Sequence, residues 1–112
     1  MCVMTTVLLK KTKNDAYAGF TCTGHAGYAD SGHDIVCSAV SVLVINTVNA
    51  MELFAKEQMR VTAKEESGIM EVVFVNPVNE KTQLLMDTMV LGLKSIEKQY
   101  GKKYLKLKFK EV

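Results

Sequence analysis

Apolar and polar positions divide this chain into seven segments of regular structure. Residues 3–11 are rich in Val, Thr and Leu and read as a strand. Lys13, Asn14 and Asp15 follow and suit a hairpin turn. Residues 16–23 alternate as a second strand, but Tyr17 and Phe20 do not share one strict face, which places a bulge near Gly19. From Ile35 to about Lys56 the apolar residues run on over a length that strands do not reach. A helix is expected there despite its many β-branched residues, with Asp34 as N-cap. Residues 59–66 and 69–76 form two further strands joined through Glu66, Ser67 and Gly68, and Pro77 ends the second. Residues 79–100 predict an amphipathic helix with Leu85, Met89, Leu93, Ile96 and Tyr100 in one stripe, stopped by Gly101. In residues 104–110, Leu105, Leu107 and Phe109 alternate with Lys106, Lys108 and Lys110. That is a strand with one apolar and one basic face, and its lysines also discourage edge-to-edge aggregation.

The order β-β-α-β-β-α-β predicts an α+β fold whose sheet packs against two long helices on one side. A chain of 112 residues holds one hydrophobic core and is too short for two, so residues 1–112 are read as a single domain. The run Val42, Leu43, Val44, Ile45 is apolar all round its helix. A helix like that needs a second burial surface, and another copy of the chain would supply it, so a homodimer is expected.

The formal charge of +2 is too weak to argue for nucleic acid unless the basic residues concentrate on one face, and no direct nucleic-acid partner is expected. Cys2, Cys22 and Cys37 are odd in number and form no Cys-x-x-Cys unit, so neither a disulfide framework nor a structural zinc site is expected. The thiols read as reduced. The N-terminal apolar stretch is short, its lysines follow rather than precede it, and no small-residue cleavage site comes after. The stretch from Ile35 to Met51 is interrupted by Ser38, Ser41, Asn46, Thr47 and Asn49, and reads as too polar and too short to span a bilayer. A cytoplasmic protein without membrane contact, metal or cofactor is expected.

Chemistry concentrates in residues 24–41. Gly24, Gly27 and Gly32 mark a loop of about ten residues, longer than most connections and of the length that often carries function. His25 lies between the first two glycines. Cys37 comes three residues after the expected N-cap, where unpaired N–H groups and the helix dipole favour a thiolate. An Asp34 carboxylate pointing inward would oppose that effect. An imidazole returned by the loop to such a thiol makes a nucleophile–base pair. Ser41 follows Cys37 by four residues and shares its helical face. His33 is nearer in sequence, but at the cap its ring would more naturally face solvent. Each residue also has a plainer reading. Cys37 could be a small buried hydrophobe, His25 a loop histidine bonded to backbone, and Ser41 a hydroxyl bonded one turn back. A glycine loop entering a helix can also cradle phosphate, so a non-catalytic RNA-binding module, using this loop and the lysine face of the last strand, is the alternative. A thiol redox sensor would need Cys22 as its resolving cysteine.

The two-part motif Gly24-His25-Ala26-Gly27, Gly32, then Asp34-Ile35-Val36-Cys37 and Ala39-Val40-Ser41, resembles the signature of the Prp family of bacterial ribosomal-processing cysteine proteases. Length and element order agree over the whole chain. The resemblance implies a homodimeric cysteine endopeptidase, without cofactor, that removes an N-terminal extension from a large-subunit ribosomal protein. It places the catalytic histidine at His25 and the nucleophile at Cys37. The motif glycines Gly24, Gly27 and Gly32, with Asp34 and Ser41, fall in supporting or substrate-binding positions. Ser38 stands where a small residue, commonly alanine, is expected, a departure that touches no catalytic role.

Overall fold

A computed structural model describes residues 5–23, 31–64 and 69–112, with the side chains of the first helix described from residue 35 onward. The elements are β1 (Thr5–Lys11), β2 (Tyr17–Thr23), α1 (Ser31–Leu53), β3 (Met59–Lys64), β4 (Ile69–Phe74), α2 (Glu80–Tyr100) and β5 (Leu105–Glu111). This is the expected α+β order. The five strands make one sheet in the order β3-β4-β2-β1-β5. β1 pairs antiparallel with β2, and β4 pairs antiparallel with both β2 and β3. β5 returns from α2 to lie parallel to β1, leaving β3 and β5 as the edges.

The β1–β2 turn follows from its residues. Asp15 takes a left-handed φ of 65°, which Asp tolerates better than most residues. Its N–H donates to the Thr12 carbonyl at 3.0 Å, and the Thr12 N–H donates to the Ala16 carbonyl at 2.8 Å. Just beyond, the register steps from Lys10↔Gly19 to Lys11↔Tyr17, leaving Ala18 as the extra residue of a bulge. The bulge puts Tyr17 on the same side as Phe20, and both are buried. Gly19 is required by close approach, because a Cβ there would run into the Val72 carbonyl oxygen of β4.

Both helices cover one face of the sheet. Val7, Leu9, Phe20, Val72 and Leu105 point into a core completed by Val36, Val40, Val44 and Met51 of α1 and by Met86, Met89 and Leu93 of α2. The α2 stripe is rotated slightly from the expected one. Met86 and Val90 lie inside, while Leu85, Ile96 and Tyr100 pack at its margin. Asn79 caps α2, accepting from the Thr82 N–H at 2.9 Å, and Gly101 ends it with φ 97°. The helix α1 ends through Lys56 at φ 55°, with the Glu57 N–H donating to the Met51 carbonyl at 3.1 Å, a left-handed cap without glycine.

Two expectations need correction. The helix α1 begins at Ser31 rather than after Asp34, so Asp34 lies within its first turn and is not its N-cap. In addition, residues Ile35–Leu53 form 19 helical residues of mean hydropathy 1.6, long and apolar enough by length and composition to cross a membrane. The scattered Ser, Thr and Asn do not lower the average enough to exclude this. Here that apolarity is spent on the sheet, through the buried stripe Val36, Val40, Val44, Val48 and Met51.

Gly19→Ala tests the tightest inter-strand approach. It is expected to cost about 1–3 kcal/mol, read as a lower urea midpoint at unchanged m-value.

Candidate active site

Cys37 stands at the end of the sheet where β1 starts and β2 finishes. Its Sγ is 3.4 Å from the Thr5 hydroxyl oxygen, and either atom can donate. Thr5 is fully buried in the first position of β1, where its N–H donates to the Tyr104 carbonyl at 3.0 Å. Cys37 itself is half-buried. The neighbouring strand leaves the sheet at Thr23, which pairs in register with Thr6. The nucleophile candidate and the start of the glycine segment are therefore anchored on adjacent strands at one end of the sheet.

The helix start alters the electrostatic argument for Cys37. Counting from Ser31, Cys37 lies in the second turn. In an α-helix only the first four N–H groups lack an intrahelical partner, and the dipole's influence falls off within the first turn. Cys37 is thus one turn further from that positive end than its sequence spacing suggested. Thr5 gives the sulfur a local hydroxyl contact that the sequence reading missed. A signal was present, because Thr5 shares strand parity with Val7 and Leu9, and a hydroxyl on an apolar face needs a partner.

Ser41 lies one turn after Cys37 and borders a cavity of ≈ 170 Å³ between α1 and the β2–β4–β3 side of the sheet. Cys22, Val44, Ile45, Ala63 and Met70 supply most of its remaining, largely apolar wall. Ser38 is exposed. Cys22 is buried in β2. Burial, reinforced by the nearby Cys37, pushes its thiol up to about 11. Such a thiol is a poor resolving partner for a redox sensor at neutral pH. Gly24, His25 and Gly27 lie outside the described residues, as does Cys2; Gly32, His33 and Asp34 are described only in backbone.

The Prp cysteine protease family model matches residues 4–106. The chain belongs to that family. It is a cysteine protease, and a half-buried cysteine beside a cleft-bordering serine is consistent with that chemistry. The protease is similar to the ribosomal processing protease Prp of S. aureus in complex with a substrate peptide, with 27% identity and a TM-score of 0.89 over 96% of this chain and 100% of that one. It is similar to the same S. aureus protein with a covalently linked product peptide at 28% identity and TM-score 0.85, covering 96% and 100%. SMU.848 from Streptococcus mutans matches at 29% identity and TM-score 0.87, covering 97% and 99%. No curated protein matches the chain.

The thiol environments differ enough to be told apart chemically. With iodoacetamide at pH 8, Cys37 is expected to be carboxamidomethylated faster than Cys22 by roughly 100-fold or more. Because the thiolate fraction of Cys22 grows about tenfold per pH unit below its pKa, its labelling should rise steeply from pH 8 to 10. Peptide mass mapping reads both rates, and equal labelling at pH 8 would count against an accessible Cys37.

Proposed function

We propose that the protease is an endopeptidase that removes an N-terminal extension from a bacterial large-subunit ribosomal protein, with Cys37 as nucleophile and His25 as general acid and base. The observation that carries this reading is the Thr5–Cys37 contact, which pins the sulfur to the end of the sheet from which the chain proceeds to His25. Thr23 pairs with Thr6, next to Thr5, and adjacent strands lie about 4.8 Å apart. His25 is two residues beyond Thr23, and two residues extend up to about 7 Å. The chain therefore leaves β2 close to the sulfur, two residues before His25 in sequence. Family membership sets aside the non-catalytic reading. The ribosomal assignment is supported by the S. aureus relative, described as a ribosomal processing protease, and the covalent step by its covalently linked product peptide.

In this reading His25 takes the Cys37 proton and the thiolate attacks the scissile carbonyl carbon, forming a C–S bond. As the C–N bond breaks, His25 returns the proton to the departing amine. Water then attacks the thioester carbonyl carbon and gives a proton to His25; a C–O bond forms as the C–S bond breaks, the acid product leaves, and the released Cys37 thiolate takes its proton back from His25. The oxyanion is met by backbone N–H groups of the Gly24, Gly27 and Gly32 segment and of the first turn of α1, which includes Asp34. Thr5 donates to the thiolate and holds it in place. Ser41 and the apolar cavity beside it receive a substrate side chain next to the cleaved bond. No metal or cofactor enters these steps. The chain acts in the cytoplasm, where its thiols stay reduced.

The protease works as a homodimer whose contact lies on the outer face of α1. Ile35 and Val42 stand there, one above the other at i and i+7, and are 52% and 69% exposed, an apolar pair that a second copy would bury.

With a peptide spanning the extension and the mature N-terminus of that ribosomal protein, wild-type protein should give two products of the expected masses. Cys37→Ala and His25→Ala should lower the rate by roughly 10³-fold or more at unchanged circular dichroism. Thr5→Val, which keeps the shape and removes about 1 kcal/mol of hydrogen bonding, should lower kcat a few-fold. Cleavage by Cys37→Ala at the wild-type rate would end the proposal. For the dimer, sedimentation velocity should find two chains in the wild type and one in Val42→Glu; a monomeric wild type at micromolar concentration would overturn the contact.

A further inference from the structure

The face of the sheet opposite the helices is where the basic residues gather. Strand alternation and register place Lys10, Arg60, Lys64, Lys106, Lys108 and Lys110 on it, against Glu71 as the acidic residue there among the described residues. The rest of the sequence carries eight basic and eleven acidic residues. A chain of net +2 thus turns a strongly positive surface to one side. Lys64, at one corner, engages another group and is not part of the contact described below.

The arrangement has order as well as charge. One row runs across all five strands, Arg60↔Val73↔Gly19↔Lys10↔Lys110. At its middle Gly19 has no side chain, so the row is low at the centre and raised at both ends. Along β5, Lys106, Lys108 and Lys110 follow one another at about 6.6 Å, two strand residues apart. Between the basic margins lie the hydroxyl residues Thr6, Thr21, Thr23 and Thr62, which are common phosphate contacts alongside Lys and Arg. The acid is compensated, since Lys10 Nζ lies 3.5 Å from a Glu71 carboxylate oxygen. From β5 to β3 the surface spans about 19 Å, four strand spacings.

We infer that this open face binds the phosphate backbone of duplex RNA. Charge complementarity selects a polyanion. No aromatic residue among the described residues stands on the face, so bases have no platform on which to stack, and single strands read by stacking do not fit. Ile69, Val73 and the partly buried Leu8 are its apolar members among the described residues, too few and too scattered to anchor in a lipid interface. The choice of RNA among duplexes rests on the ribosomal reading above. Apart from Lys64 and Ile69, which reach the rim of the cavity beside Ser41, the surface lies on the other side of the sheet from that cavity, so RNA contact and peptide cleavage can occur together. It would hold the enzyme on the particle that presents its substrate.

The test is fluorescence anisotropy of a labelled 20-base-pair RNA duplex from 50 to 200 mM salt. Three full-length proteins are compared: wild type, the triple variant Lys106→Glu, Lys108→Glu, Lys110→Glu, and a charge-matched control, Lys56→Glu, Lys81→Glu, Lys98→Glu. Wild type should bind with an affinity that falls steeply with salt. The face variant should lose about 0.9 in log–log slope per lysine, while the control should keep most of the wild-type slope. Glu71→Gln, which releases Lys10, should bind more tightly than wild type. All variants should cleave the extension peptide at the wild-type rate, so loss of RNA binding and loss of protease activity are separable. An equal slope in the face variant and the control would overturn the inference. So would retention on phosphatidylserine vesicles without retention on RNA.

Discussion

Both helices must lie on the same side of one five-stranded sheet, and that constraint organises the molecule. One face is buried under α1 and α2 and forms a continuous core from Val7 and Phe20 to Met86 and Leu93. The other is left to water, and its side chains are chosen by solvent and partners rather than by packing. Apolar burial is the dominant favourable term in folding. The alternating pattern of β1, β2, β4 and β5 therefore determines where every charged residue on those strands can go. The basic face and the candidate site are two consequences of the same division.

The site shows how tertiary contact and local helix geometry share the control of a thiol. Near a helix start, backbone N–H groups and the dipole favour a thiolate, but only within about a turn. Because α1 begins at Ser31, Cys37 sits one turn inside and meets the Thr5 hydroxyl instead. The same helix carries Ser41 to the cavity, while the stripe of Val36, Val40 and Val44 holds its register against the sheet. A well-packed helix seldom slides, so the sulfur's position is inherited from the core. Cys22, only one strand away, is buried so thoroughly that its thiol stays protonated. Burial gives two cysteines of the same chain different surroundings.

Much of the fold could be read from residue order. Strict alternation in 104–110, the Gly101 stop, the turn at Asn14 and Asp15 and the bulge near Gly19 all reappear within a residue or two, because each rests on local backbone preference. Boundaries drifted where a competing contact decided them. The N-terminus of α1 moved back to Ser31, since a good capping residue such as Asp34 also fits a first turn, where its charge suits the dipole. The C-terminus of α1 falls at Leu53, short of the expected Lys56, and Lys56 takes the left-handed conformation of a cap that no glycine announced.

By itself the sequence determined the element order, the single apolar face of each strand, the family motif and the identity of the cysteine at the head of the long helix. These depend on neighbours a few residues apart, and periodicity reports them directly. Tertiary structure alone decided the strand order, with β5 parallel to β1, and therefore that Thr5 meets Cys37 thirty-two positions away. It also decided that lysines from β1 and β5 and an arginine from β3 share one surface. Such contacts are set by how the whole sheet closes over its core, a choice made by the summed burial of all five strands and two helices. No single segment carries that sum.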